Sequence, residues 1–170
     1  MIERRLLLAS AAGLSLIAAL RGLRLGTAAA AEQPKETFEI QKSPEEWRRQ
    51  LTPAQYDILR EHGTERPFSS PLNKEHRKGI FACAGCALPL FSSETKFDSG
   101  TGWPSFYEPL PGAVGTSEDH SYMMVRTEVH CRRCGGHLGH VFDDGPRPTG
   151  LRYCMNGLAL SFRPGDASPS

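Results

Sequence analysis

Two C-x-x-C pairs constrain the fold of this 170-residue chain more than any other feature. Cys83 and Cys86 form the first pair, and Cys131 and Cys134 form the second. Two such pairs, each on a turn between strand-forming runs, supply four thiolates to one tetrahedral zinc ion. The spacing therefore predicts a closed, structural zinc site, with no coordination position left for a substrate.

Two other interpretations of these four cysteines stay open. An exported protein could instead form two disulfides, for which four cysteines allow three connectivities, although a disulfide inside a C-x-x-C turn is strained. A redox-active C-x-x-C pair is the third interpretation, and it is less favoured because neither pair lies in the βαβ pattern typical of such motifs.

The fifth cysteine, Cys154, stands outside both pairs. It lies in a strand-forming run, and Arg152 precedes it by two positions. Residues two apart on a strand point to the same face, so the guanidinium can lie beside the sulfur and favour the reactive thiolate. A buried structural cysteine is the alternative, because free cysteine is among the most buried residue types.

The first 31 residues have the pattern of a signal peptide. Arg4 and Arg5 precede an apolar run over residues 6–20, and four alanines at 28–31 fit a small-residue cleavage site. The adjacent arginines indicate the twin-arginine export route, so we expect an exported, periplasmic protein. A membrane anchor is the alternative, but the apolar run is shorter than the roughly 18 residues of a spanning helix.

Without residues 1–31, the chain is close to electrically neutral. Removal of residues 1–31 takes away four arginines and one glutamate, which leaves 16 basic residues against 18 acidic ones. No basic patch remains to bind nucleic acid, and no later stretch could span a bilayer. We expect a flexible lead-in over residues 32–42, one domain over 43–164 and a disordered tail over 165–170. The whole sequence has 17 glycines and 13 prolines, so the domain should contain many turns and short strands.

Two short helices should open the domain. Ser43 and Thr52 each precede a proline and match capping boxes. The first helix should turn Trp47 and Leu51 inward. The second should bury Tyr56 and Leu59, with Ile58 alongside, and end at Gly63.

Strands should follow the helices. The pattern predicts strands over residues 79–82, 88–91 and 121–130, the last being the longest. Residues 151–155 and 158–162 look like an antiparallel hairpin joined by Asn156 and Gly157, since Asn-Gly is the strongest short hairpin signal.

Three further residues are candidates for chemistry. His137 and His140 lie in a glycine-containing turn just after the second C-x-x-C pair, and histidines titrate near neutral pH. Trp103 follows the glycine-rich turn of residues 99–102. The alternatives are surface or core histidines that only make structural hydrogen bonds, and a tryptophan that only packs in the core.

Five blocks of sequence carry a resemblance to a known family. They are residues 63–68 (GTERPF), 83–86 (CAGC), 96–106 (KFDSGTGWPSF), 137–146 (HLGHVFDDGP) and 152–156 (RYCMN). In order and spacing they resemble the B-type peptide methionine (R)-S-oxide reductases over roughly residues 43–164. The resemblance implies an all-β core of two antiparallel sheets with two or three short N-terminal helices. It also implies one structural zinc ion held by Cys83, Cys86, Cys131 and Cys134, away from the active site.

The resemblance also implies a mechanism. Cys154 attacks the sulfoxide sulfur and is left as a sulfenic acid. Trp103 receives the substrate methyl group, while His137, His140 and Asn156 orient and protonate the departing oxygen. Phe142 and Arg152 complete the expected substrate-binding set, and the role of Arg152 rests on the strand argument alone.

Two departures from the family pattern bear on this mechanism. Thr101 stands where many members carry a second, resolving cysteine, and Gly157-Leu158 stand where many have small polar residues. We therefore expect an external thiol donor such as thioredoxin to reduce the Cys154 sulfenic acid.

The expected role is protein repair and oxidative-stress defence by a monomer that acts on oxidised proteins or peptides. The competing hypotheses are a non-catalytic zinc-knuckle binding module and a zinc-bearing thiol–disulfide oxidoreductase.

Overall fold

Two antiparallel β-sheets and two short helices make up residues 37–165, the part of the chain that this computed structural model describes. The fold class expected from the resemblance is confirmed. The expected signal peptide, residues 32–36 of the lead-in and residues 166–170 of the tail lie outside the described residues. Among residues 37–165, no helix is long and apolar enough to cross a membrane.

The elements follow one another in a simple order. The helices are α1 (Pro44–Gln50) and α2 (Pro53–Glu61). The strands are β1 (Gly79–Cys83), β2 (Pro89–Ser92), β3 (Lys96–Phe97), β4 (Ser105–Phe106), β5 (Val114–Asp119), β6 (Arg126–Cys131), β7 (His137–Phe142), β8 (Arg152–Met155) and β9 (Leu160–Pro164). Single 3-10 turns occur at Pro71–Lys74, Ser93–Thr95, Ser121–Met123 and Gly157–Ala159.

Both helices begin as their capping residues predict. The side chains of Ser43 and Thr52 accept hydrogen bonds from the backbone N–H three residues on, and both capping boxes are complete. Trp47 and Leu51 are buried, as predicted, whereas Tyr56 is only partly buried. Helix α2 ends at Glu61, two residues earlier than Gly63, because His62 adopts the left-handed conformation and stops it.

An aromatic cluster joins the two sheets. The smaller sheet has the strand order β2-β1-β9, and the larger one has the order β3-β4-β8-β7-β6-β5. Phe81 on β1 and Phe91 on β2 pack against Phe106 on β4, with ring centroids 5.0 and 4.4 Å apart. All three rings are fully buried, so the core lies between the sheets.

The predicted hairpin through Asn156 and Gly157 is wrong. Strand β8 pairs with β4 and β7, whereas β9 pairs with β1 in the other sheet. A hairpin of that type needs positive φ at Asn156, whose φ is −65°. Gly157 serves close packing instead, since a Cβ there would lie 1.9 Å from the Ser70 hydroxyl oxygen.

The single long strand predicted over residues 121–130 is also wrong. Residues 121–123 form a 3-10 turn in which Tyr122 and Met123 have positive φ, and β6 begins only at Arg126. Strand β5 precedes the turn and pairs with β6 throughout its length, which the sequence did not indicate.

Candidate functional site

The two C-x-x-C turns share one backbone geometry. The residue after the second cysteine of each pair, Ala87 or Gly135, has positive φ. Its N–H donates to the carbonyl of the first cysteine at 2.8 Å in both turns. This repeated turn aims both sulfurs of each pair to one side and forms two matching knuckles.

The four knuckle cysteines form a candidate metal site. All four cysteines are free, and their sulfurs lie within 4.8 Å of one another. The Sγ atoms of Cys83 and Cys134 are 3.7 Å apart, and those of Cys86 and Cys131 are 3.5 Å apart. A disulfide requires about 2.05 Å. A tetrahedral ion with metal–sulfur bonds of about 2.3 Å separates its ligands by about 3.8 Å.

The site also joins the two sheets. Cys83 ends β1 of the smaller sheet, and Cys131 ends β6 of the larger one. Hydrogen bonding among the crowded thiols raises the pKa of Cys83 and of Cys131, so the four sulfurs need a cation to ionise together. Cys86 is half-buried, and the other three are buried.

Cys154 lies on β8 in a small cavity away from the knuckles. Its cross-strand partners are Ser105 on β4 and His140 on β7. The cavity has a volume of about 130 Å³. It is lined by Thr64, Trp103, Arg126, Gly139, His140, Phe142, Cys154 and Asn156.

Five of the predicted site residues therefore meet at this cavity: Cys154, Trp103, His140, Phe142 and Asn156. His137 is buried behind the cavity and lines a larger one beside it, of about 450 Å³. Arg152 is buried next to Cys154 but is not part of the wall.

A β-bulge places His137 and His140 on one face of the sheet. Residues three apart on a regular strand face opposite sides. Here Leu138 is an extra residue, since His130 pairs with His137 and Val129 pairs with Gly139. The two imidazole centroids are consequently only 5.4 Å apart.

Each histidine is hydrogen-bonded to its own carboxylate. His137 Nδ1 lies 2.6 Å from Glu128 Oε1, and His140 Nε2 lies 2.7 Å from Asp119 Oδ2. Burial alone would raise the pKa of Glu128, but hydrogen bonds from His137, His62 and Ser117 together bring it far below its usual range. Both histidines therefore donate these hydrogen bonds to an ionised acid.

The same contacts fix the state of His140. Hydrogen bonds from Ser121, with a further one from His140, lower the pKa of Asp119. Burial lowers the pKa of His140, although Asp119 acts in the opposite direction, so the neutral form of the ring is favoured at pH 7. Its proton lies on Nε2, and Nδ1 is left able to accept one.

Cys154 is less acidic than its arginine neighbour alone would make it. Burial raises the pKa of its thiol, while Thr101 and Arg152 act to lower it. Arg152 thus acts in the direction expected from the strand pattern, but burial has the larger effect. Arg152 is held in place by Asp144, which accepts from Nε and Nη2 at 2.8 Å each.

Asn156 and Trp103 are both tied to Glu65, which has no separate signal in the sequence. Glu65 donates its N–H to Asn156 Oδ1 at 3.1 Å and accepts from Trp103 Nε1 through its carbonyl at 3.2 Å. Its buried carboxylate accepts the N–H groups of Gly157 and Leu158. Glu65 therefore positions two sides of the cavity.

The family model of the SelR domain matches residues 51–164, which include both knuckles, all nine strands and Cys154. The chain is therefore a SelR-domain protein.

This chain aligns with nearly the whole length of several curated relatives. A peptide methionine sulfoxide reductase MsrB from Agrobacterium fabrum is 60% identical over 126 residues, which is 74% of this chain and 93% of that protein. The proteins of the same name from Leptospira interrogans and Methanosarcina barkeri are 56% and 58% identical. They match 74% and 73% of this chain and 97% and 88% of their own lengths. The chain belongs to the MsrB family of peptide methionine sulfoxide reductases and is an oxidoreductase.

Proposed function

We propose that this chain reduces the R epimer of methionine sulfoxide to methionine, in proteins and as the free residue, with Cys154 as the attacking sulfur. One observation carries the proposal. Of five cysteines in the whole sequence, four cluster at the knuckles, and the fifth lines a cavity directly across from His140.

The first chemical step transfers the sulfoxide oxygen. The sulfur of Cys154 attacks the sulfoxide sulfur. The oxygen then forms a bond to the Cys154 sulfur as its bond to the methionine sulfur and the bond between the two sulfurs break, so that methionine leaves and Cys154 becomes a sulfenic acid. Because the thiol is mostly protonated in the free enzyme, its proton must leave as attack begins. Nδ1 of the neutral His140 accepts this proton and returns it to the oxygen.

The cavity wall selects the substrate. Trp103 and Phe142 supply apolar surface for the methyl group, and the indole is held by its hydrogen bond to the Glu65 carbonyl. The amide of Asn156 is engaged with Glu65 and with the Leu138 carbonyl, so it orients this wall while lining it. His137 supports His140 from behind, in ring contact with it. Arg152 stabilises the Cys154 thiolate as it forms.

An external thiol donor of the thioredoxin type completes the cycle. Two thiols reduce the sulfenic acid to Cys154, and the products are water and a disulfide of the donor. Thr101 occupies the place next to Cys154, so no resolving cysteine is at hand. The biological role is repair of oxidised proteins during oxidative stress by a monomer.

The knuckles hold one structural zinc ion in this proposal. Four sulfur ligands with tetrahedral separations suit zinc and leave it no open position. The ion stabilises the junction of the two sheets and takes no part in the chemistry.

Export to the periplasm follows from residues 1–31, which serve as a cleaved signal peptide of the twin-arginine type. We expect a C-terminally tagged protein to fractionate with periplasmic markers, and to lose that location after Arg4→Lys and Arg5→Lys together. A purely cytosolic tagged protein would contradict this part of the proposal.

The activity is tested with Cys154→Ser. We expect this variant to keep its metal content and its thermal midpoint while turnover of the R sulfoxide falls by at least about 10³-fold. Retained turnover would overturn the assignment of Cys154 and favour a non-catalytic module whose activity comes from contamination. Equal turnover of the R and S sulfoxides would exclude the stereospecific site formed by Trp103 and Phe142.

A further inference from the structure

Three potential ligand atoms converge outside the four-cysteine site, at the wall of the larger cavity. They are one ring nitrogen each of His62 and His137 and a carboxylate oxygen of Glu128, all within 4.8 Å of one another. We propose that these three side chains form a second metal site, which binds a divalent transition-metal ion such as Zn²⁺ and inhibits the enzyme when occupied. The inhibitory part rests on the proposed function; the binding part does not.

The distances suit an ion after small movements. His62 Nδ1 and His137 Nδ1 lie 3.0 and 2.6 Å from the same oxygen, Glu128 Oε1. An ion with ligand bonds of about 2.1 Å holds tetrahedral ligands about 3.4 Å apart, so each atom needs to move by less than about 1 Å. Both rings then carry their proton on Nε2, and the ion replaces the two hydrogens that now point at the carboxylate.

The donor set is one that zinc uses in open sites. Two imidazoles and one carboxylate bind the ion, and a water molecule takes the fourth position. The adjoining cavity, of about 450 Å³, has room for that water. The other oxygen of Glu128 accepts a hydrogen bond from Ser117 at 2.7 Å, which orients the carboxylate as outer partners of metal ligands do.

Rigid and movable elements are combined at this site. His137 and Glu128 are buried on the neighbouring strands β7 and β6. His62 caps helix α2, and its side chain is 64% exposed, so it can adjust to an arriving ion. The strands thus supply two fixed ligands, and the helix end supplies a third that closes onto them.

Charge around the site favours a cation. The carboxylates of Glu61, Glu118 and Asp119 line the same cavity. Arg126, the cationic side chain in the wall, is paired with Asp119 at 2.5 Å. An ion here would draw His137 away from its present hydrogen bond and place positive charge beside His140, whose ring lies 5.4 Å from that of His137. Proton transfer by His140 would then be suppressed.

Metal binding is measured first, without reference to activity. The full chain, loaded with one zinc per molecule at the knuckles, carries Cys154→Ser so that no free thiol competes. Titration with Zn²⁺ by calorimetry should show one further equivalent. Co²⁺ as a probe should give a visible spectrum without sulfur-to-metal charge transfer.

A histidine variant then assigns the ligand. His62→Gln keeps a donor for Glu128 but removes the imidazole, and it should weaken the additional equivalent at least about tenfold. His76→Gln, at an exposed histidine outside this cavity, is the matched control and should bind as the parent does. Absence of a further equivalent, or equal affinity of the two variants, would overturn the site.

Inhibition is measured in a single turnover of reduced enzyme that keeps Cys154. All small-molecule thiols are removed beforehand, because they chelate zinc. Added Zn²⁺ should lower methionine formation several-fold in the His76→Gln enzyme and much less in the His62→Gln enzyme. Binding without this difference would overturn the inhibitory role alone. A failure to form methionine even without added metal would count against the proposed function and leave the binding result standing.

Discussion

The hydroxyl oxygen of Thr101 lies 3.9 Å from the sulfur of Cys154. Its turn places the Thr101 side chain beside the Cys154 sulfur, in the position where many family members carry a resolving cysteine. Here the side chain is a hydroxyl that helps to lower the pKa of the thiol. Under the proposed function, this pair determines whether the Cys154 sulfenic acid can be resolved within the chain.

Replacing this hydroxyl by a thiol should change the product of one turnover. In Thr101→Cys, we expect the sulfenic acid of Cys154 to condense with the new thiol, so that mass analysis without reductant shows a disulfide between positions 101 and 154. The parent and the control Thr101→Ser should instead gain a single oxygen. A disulfide from Cys154 to any knuckle cysteine in the parent would contradict the assignment.

Alkylation of Cys154 should report its raised pKa. With the knuckles loaded, we expect iodoacetamide to label Cys154 alone, with a rate that rises with pH and reaches half its maximum at a pH above the ordinary pKa of a thiol.

Removing the nearby cation should raise that pKa further, because Arg152 acts to lower it. Arg152→Met should therefore slow labelling at pH 8 about three- to tenfold, since one pKa unit is a factor of ten in thiolate. Arg77→Met, at an arginine paired with Glu75 elsewhere, should leave the pH profile in place. An unchanged profile in Arg152→Met would refute the electrostatic role.

Loss of the Asp119 carboxylate should disable His140. In Asp119→Asn, His140 no longer has its Nε2 proton fixed, and its pKa should fall further, because Asp119 raises it. We expect kcat to fall about 10²-fold, and the acid limb of the pH–rate profile to move to lower pH. The neighbouring control Glu118→Gln should keep the parent profile. A drop in kcat with an unmoved profile would point to a merely structural effect.

Removing the knuckle metal should unfold the protein. The site connects β1 to β6, and binding of a structural zinc ion contributes on the order of 10 kcal/mol to such small domains. A strong chelator, or Cys131→Ser, should abolish the cooperative thermal transition, while Cys154→Ser should keep it. A chelated protein that still melts at the original temperature would show that the aromatic core alone holds the sheets together.

Local signals in the sequence were sufficient for some elements. The caps at Ser43 and Thr52 act within four residues, and each C-x-x-C turn is closed by its own backbone. The Asn-Gly signal failed because its context is not local. Gly157 packs on Ser70 and donates to Glu65, which is 92 positions away.

Local signals could not reveal the partners of His137 and His140. The carboxylates of Glu128 and Asp119 reach the two histidines only because β5, β6 and β7 pair with one another. The bulge at Leu138 turns both histidines to the same face of the sheet, and the residue pattern gives no sign of it. The resemblance of sequence blocks carried the site further than periodicity could. It includes Glu65 in its first block but does not reveal what that residue binds.

We expect the partial exposure of Cys86 to limit how long the protein stays folded in the presence of oxidants. In the proposed cycle the Cys154 sulfenic acid is an intermediate that thiols reverse, whereas oxidation of a knuckle sulfur beyond the sulfenic state is permanent and would release a bound metal. Cys86 is the knuckle sulfur that an oxidant in solution reaches most directly, since the other three are buried. Under sustained exposure to oxidant, we therefore expect damage to begin at the junction of the sheets and not at Cys154.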